Sequence, residues 1–177
     1  MKFFLISLFL SCLFNYKAFS LDTIAKQAIL YDYETKTIIF EKNSEELMSP
    51  SSMSKIMTIY YVFKKIKDGD LKLTDKFKVS KKAWKKGGSK MFVNVNTMVS
   101  VEDLIRGIIV QSGNDACIAI AEGISGSEAL FAEELNLLAK EIGMMNSSFT
   151  NSTGWPDPDH LTTIQDLLTL TVRTIED

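Results

Sequence analysis

The chain places two strand-like segments first and then a run of helical patterns, an order that points to an α+β architecture. Residues 27–33 and 37–40 are rich in Ile, Tyr and Thr, and Glu34-Thr35-Lys36 between them is short enough for a hairpin loop. Ser49-Pro50-Ser51 punctuates the chain next, and Pro near a helix start pre-sets the backbone for the first turn. From Met53, apolar residues recur at Ile56, Met57, Tyr60 and Phe63, a spacing that predicts an amphipathic helix to about Lys67, stopping near Asp68-Gly69-Asp70. Residues 76–90, Lys-rich and containing Gly87-Gly88, read as a strand plus a flexible loop. Ser100 is the expected cap of a helix through Leu104, Ile105, Ile108 and Ile109, with Glu102 and Asp103 in its first turn, where carboxylates favour the positive end of the dipole. The pattern breaks at Ser112-Gly113-Asn114, where Gly permits a conformation other residues resist. Helix resumes through Ala116, Ile118, Ala119 and Ala121 and yields at 123–126. Ser127 is expected to cap a third helix carrying Leu130, Phe131, Leu135 and Leu138, closed by Gly143. Residues 151–159 read as a loop, and 161–175 as the start of a last helix. Two strands are few for so many helices, so the sheet looks unfinished, with an unpaired edge exposed.

Composition narrows the function classes. At 177 residues, 46% apolar and 24% charged, the chain is about one globular domain's worth. With 20 Lys+Arg against 22 Asp+Glu there is no basic excess of the kind nucleic-acid binding needs, and one His with two Cys is too few for a zinc cluster. No metal or organic cofactor is expected. Met1-Lys2, an apolar run over 3–14 and Ala18-Phe19-Ser20 together have the form of a secretory signal peptide over residues 1–20. The apolar run is shorter than the roughly 20 residues a membrane span needs, which disfavours an uncleaved anchor. Phe9-Leu10-Ser11 before Cys12 is a poor match to a lipoprotein signal. Cleavage removes Lys2 and Lys17 and no acid, leaving 18 basic against 22 acidic residues, a net −4. Cys117 is then the sole cysteine and can form no internal disulfide. The expectation is an exported domain over 21–177, acting in the periplasm or cell-wall space.

Two constellations could carry chemistry. Ser52-Met53-Ser54-Lys55 puts a hydroxyl and an amine three residues apart at the mouth of the predicted helix, so the two side chains meet on one face. Helix-terminal N–H groups and the dipole would depress the amine's pKa and stabilise a nearby oxyanion. An unprotonated Lys can then activate the otherwise weak Ser nucleophile. In a chain this rich in Ser and Lys the pattern alone is also consistent with a capped helix and a solvated Lys. Ser112-Gly113-Asn114 adds a hydroxyl and an amide where the backbone must turn, although an ordinary helix–helix corner would read the same way.

Taken together, Ser-x-x-Lys followed some sixty residues later by Ser-x-Asn resembles the penicillin-recognising serine enzymes. Pro50-Ser51-Ser52-Met53-Ser54-Lys55-Ile56-Met57-Thr58 is similar to the nucleophile segment of the D-alanyl-D-alanine carboxypeptidases, the low-molecular-mass penicillin-binding proteins of peptidase family S11. Leu104-Ile105-Arg106-Gly107, Gln111 through Cys117, Gly88 through Phe92, Asn151 through Gly154 and His160 through Thr163 resemble further stretches of that family. The likeness runs over about 25–177. It implies a β-lactamase/transpeptidase-like fold with an antiparallel sheet and a helical cluster. It also implies Ser52 as nucleophile, Lys55 as its base, Ser112 as proton relay to the leaving D-alanine, and Asn114 as a hydrogen-bond partner of the substrate backbone. The backbone N–H of Ser52 would supply half of an oxyanion hole. The implied substrate is a peptidoglycan stem peptide ending in D-Ala-D-Ala, with β-lactams as covalent inhibitors and an influence on cell shape.

The family's third motif, Lys-Thr-Gly, does not occur in the 177 residues, and Lys36-Thr37 runs on into Ile38. The chain is therefore expected to be a C-terminally partial sequence, lacking the last strands and turning over little by itself. The alternative is an inactive penicillin- or peptidoglycan-binding module. A class A β-lactamase fits less well, because its Glu-x-x-Leu-Asn is met by Ala132 three positions before Leu135-Asn136. His160 is expected to make a structural hydrogen bond. Lys76, Lys78, Lys81, Lys82, Lys85, Lys86 and Lys90 form a solvated surface that could also attract an anionic cell wall or the inner-membrane surface. Met53, Met57 and Met91 are expected to fill the core.

Overall fold

A computed structural model describes residues 21–177, so the signal-peptide reading of 1–20 lies outside the described residues. Strands β1 (Ala28–Asp32) and β2 (Thr37–Lys42) pair antiparallel around the predicted hairpin, with an irregularity between Leu30 and Tyr31. Leu30, Ile38 and Ile39 stay exposed on this ribbon, so apolar surface accompanies the expected open edge. A 3₁₀ turn, Ser51–Met53, leads into helix α1 (Ser54–Lys67). β3 (Lys76–Lys78), the short α2 (Lys81–Lys85) and β4 (Met98–Ser100) follow. The described part ends with α3 (Val101–Gln111), α4 (Asn114–Ser125), α5 (Glu128–Glu141) and α6 (Ile164–Glu176). The architecture is α+β, with two separate two-stranded antiparallel sheets among the described residues.

The helix caps form where polar residues precede apolar periodicity. Ser100 accepts from the Asp103 N–H, Ser127 from Leu130 and Thr163 from Asp166. α4 is apolar almost all round (Ala116-Cys117-Ile118-Ala119-Ile120-Ala121), and these six residues have no exposed surface. A helix of that kind must lie inside, and α4 is the central helix. On one side it packs with Ile59 and Val62 of α1, Val79, Ala83 and the apolar face of α3. On the other, Met57, Tyr60 and Tyr61 of α1 meet Phe131 and Leu135 of α5 and Leu170 of α6. Each fully buried large side chain here contributes roughly 1.5–3 kcal/mol of transfer free energy.

Several expectations are corrected. The Lys-rich stretch contains a one-turn helix, α2, capped by Ser80 through the Ala83 N–H, and its strand β3 pairs with β4, which lies beyond the stretch. Met53 is exposed rather than core, Met57 is fully buried, and Met91 is partly buried against the α3–α4 core. Ile109, Leu130 and Phe63 fit the helical period but sit at the edges of their stripes and remain exposed. At the α3–α4 corner it is Ser112, not Gly113, that adopts the left-handed conformation (φ 52°). Gly113 is needed instead for space: a Cβ there would lie 3.1 Å from the Asp115 carboxylate, the Gly107 carbonyl and the Met91 nitrogen.

Candidate active site

The turn before α1 is held from several directions. Ser51 is left-handed (φ 47°) and exposes Ser52, while the first turn of α1 buries Lys55. Lys55 Nζ lies 3.0 Å from Ser52 Oγ and donates to the Thr153 carbonyl at 2.8 Å. The i, i+3 spacing therefore brings amine and hydroxyl together as predicted, but the Lys is buried rather than solvated. Burial lowers the Lys55 pKa, with a smaller opposing effect from Cys117. Among the described residues no carboxylate pairs with Lys55, whose hydrogen-bond partners are the Ser52 hydroxyl and the Thr153 carbonyl. The neighbouring Cys117 thiol, wholly buried, is pushed up to about 12 mainly by that burial and remains protonated.

The 151–155 loop closes over this turn. Asn151 Oδ1 accepts from the Thr153 N–H, the Thr153 hydroxyl and the Trp155 N–H at 2.9–3.1 Å, and Thr58 Oγ1 donates to the Ser152 carbonyl at 2.8 Å. Gly154 is left-handed (φ 75°), and a Cβ there would overlap the Ser51 carbonyl. Only glycine allows this approach. His160 supports the turn from behind. Its Nδ1 accepts from the Thr150 N–H at 3.1 Å, so Nε2 carries the proton toward Ser54 Oγ at 2.8 Å, and Ser54 Oγ donates to the Ser51 carbonyl at 2.8 Å. Burial lowers the His160 pKa against a weaker raising effect of Asp157. The imidazole is thus a neutral structural bridge bonded to Ser54, not to Ser52.

Ser112 faces the same space. A cavity of about 280 Å³ is lined by Ser52, Lys55 and Ser112 with Ile56, Ile59, Ile108 and Ile109 as apolar walls. Asn114 does not line it. Its Nδ2 donates to the Gly87 carbonyl at 2.9 Å, and its N–H donates to Ser89 at 2.8 Å. Asp115, fully buried, accepts from the N–H groups of Met91, Val93 and Ala116 and so fastens the 87–93 loop to the start of α4. Lys86 then lies 4.0 Å over the Trp155 ring, joining this loop to the 151–155 loop. Thr153, Asp115 and Trp155 were missed by sequence reasoning. Asp115 is next to a motif and Thr153 lies within 151–154, but the tertiary partners that give them their roles, Met91, Val93 and Lys55, are 22 to 98 residues away. Leu135-Asn136, the partial match to the β-lactamase Glu-x-x-Leu-Asn loop, lies in helix α5, and the Asn136 side chain is occupied by both backbone groups of Phe149.

A sequence model of the D-alanyl-D-alanine carboxypeptidase family, peptidase S11, matches residues 15–177. The chain belongs to this family. It is 39% identical over 143 residues to D-alanyl-D-alanine carboxypeptidase DacF of Bacillus subtilis, covering 81% of this chain and 37% of that protein. The crystal structure of D-alanyl-D-alanine carboxypeptidase DacD from Francisella tularensis superposes with a TM-score of 0.87 at 38% identity, over 92% of this chain and 39% of that one. Penicillin-binding protein D2 from Listeria monocytogenes, in its ampicillin-bound form, superposes with a TM-score of 0.77 at 25% identity, over 88% and 63% of the two chains. The chain spans about two-fifths of the length of the curated relatives it matches. The fold is that of the penicillin-binding serine peptidases.

Proposed function

We propose that the protein carrying this chain is a serine-type D-Ala-D-Ala carboxypeptidase that removes the terminal D-alanine from peptidoglycan stem peptides. The observation that carries this reading is the buried Lys55 amine 3.0 Å from the exposed Ser52 hydroxyl. Burial favours the neutral amine, which takes the Ser52 proton as Oγ attacks the carbonyl carbon of the D-Ala-D-Ala bond. The backbone N–H of Ser52, in the 3₁₀ turn that leads into α1, would stabilise the developing oxyanion. Ser112, lining the same cavity, would pass the proton to the departing D-alanine nitrogen. Asn114 would accept a hydrogen bond from the substrate backbone through Oδ1, since its Nδ2 is already committed to the Gly87 carbonyl. Water then hydrolyses the acyl-serine and restores Ser52.

Residues 1–20 would direct export and residues 21–177 would form the mature part of the domain, acting outside the cytoplasm on cell-wall peptides and so on cell shape. The exposed Lys76, Lys78, Lys81, Lys82 and Lys85 would add peripheral attraction to an anionic wall or inner-membrane surface. β-Lactams would acylate Ser52 in place of substrate. The test is covalent labelling of the full-length gene product with a fluorescent penicillin. Labelling of the wild type and none of Ser52→Ala is expected, with the adduct mass on the peptide containing Ser52. Labelling of Ser52→Ala would defeat the assignment.

A further inference from the structure

Glu128 opens α5, outside both motifs, yet its carboxylate is buried and bonded to Ser152 beside the Lys55 partner Thr153. Oε1 accepts from both the N–H and the hydroxyl of Ser152, at 3.2 and 2.8 Å. Oε2 pairs with Lys82 of α2 at 2.6 Å. Burial raises the Glu128 pKa, but the hydrogen bonds from Lys82 and Ser152 and the Lys82 charge outweigh it, and the net shift is downward. The residue next to Ser152 is Thr153, whose carbonyl accepts from Lys55 Nζ. Ser152 and Thr153 are themselves almost wholly buried, so the carbonyl has little freedom once Ser152 is held.

We propose that Glu128, anchored by Lys82, is a positioning residue for the Lys55 amine, acting through Ser152 to aim the Thr153 carbonyl. The inference rests on the reading of Lys55 as the base for Ser52. A neutral amine has two N–H groups and one lone pair. With one N–H committed to Thr153, the lone pair can be turned toward the Ser52 hydroxyl proton. Glu128 itself makes no salt bridge with Lys55, so the arrangement fixes direction without supplying a charge that would keep the amine protonated. Loss of the link would let the loop open and water reach Lys55, raising its pKa toward the ordinary lysine range.

The test is the rate of acylation by a fluorescent penicillin as a function of pH, in the full-length protein, for Glu128→Ala and Glu128→Gln. Glu128→Ala is expected to lower the rate near neutral pH by at least about tenfold and to move its acid limb to higher pH. Glu128→Gln keeps an acceptor for Ser152 but loses the Lys82 ion pair, and is expected to recover part of the rate. A merely structural role would reduce the folded fraction without moving the limb. Ser152→Ala removes a single hydroxyl and provides the same readout should Glu128→Ala not fold, with a smaller shift in the same direction. A wild-type rate and an unmoved limb in Glu128→Ala, or in Ser152→Ala where Glu128→Ala does not fold, would overturn the proposal. Ser52→Ala, run alongside, separates the two readings. If it still labels, the base assignment fails. If it is silent while the Glu128 or Ser152 variant behaves as wild type, only the positioning role fails.

Discussion

Ser52 and Lys55 lie on one helical turn and reach each other over 3.0 Å, whereas the Ser112–Asn114 corner owes its shape to a loop more than twenty residues upstream. On the first side the spacing of two residues in a helix creates the pair, and a remote loop holds the turn that carries it. On the second, Asp115 binds the backbone of Met91 and Val93, and Asn114 binds Gly87 and Ser89, so the corner and the 87–93 loop form together. The difference teaches where each half is vulnerable. The Ser52 side fails when something pushes into it, and the Ser112 side fails when its polar stitches are cut.

The largest effect is expected from Gly154→Ala. Its Cβ would overlap the Ser51 carbonyl and its backbone would be held left-handed, an expected loss of at least roughly 2 kcal/mol in stability. Displacement of the Ser52 turn should also cut penicillin acylation by about 100-fold, read from labelling rates on the folded fraction. Acylation within a few-fold of wild type would show that the 151–155 loop does not set the Ser52 geometry. Asp115→Ala should do less to acylation and more to order. Removing the acceptor of three backbone N–H groups is expected to cost roughly 3 kcal/mol by denaturant unfolding. Amide exchange at Met91 and Val93 should speed up while the acylation rate falls by less than about tenfold. Equal loss of acylation in the two variants would erase the distinction between the two sides.

Much of the fold follows from local pattern. The hairpin, α1, α3, α4, α5 and α6 each announce themselves by apolar period and by caps such as Ser100 and Ser127. α2 escapes because five residues, mostly Lys, carry no apolar period, and β4 because three residues cannot show alternation. The Ser52–Lys55 pair is legible because helical geometry alone brings i and i+3 together. The supporting residues are not. Glu128, Thr153 and Asp115 act through partners brought near only by tertiary folding, and a buried carboxylate looks like a surface one until its neighbours are known. The left-handed residue at the α3–α4 corner is not legible for a related reason. Glycine is the residue that tolerates that conformation best, yet Gly113 is placed for close packing and Ser112 takes the turn.

The claim at the centre of this account is that Lys55, buried without a counter-charge, is the base that activates Ser52. The most direct measurement is the pH dependence of penicillin acylation for the wild type and Lys55→Ala in the full-length protein. Because the neutral amine is the active form and its pKa is lowered, the rate should rise with pH and reach its plateau below the ordinary lysine value of 10.5. In Lys55→Ala that limb should vanish and the plateau fall by at least about 100-fold. A Lys55→Ala protein that acylates at the wild-type rate with the same limb would contradict the account.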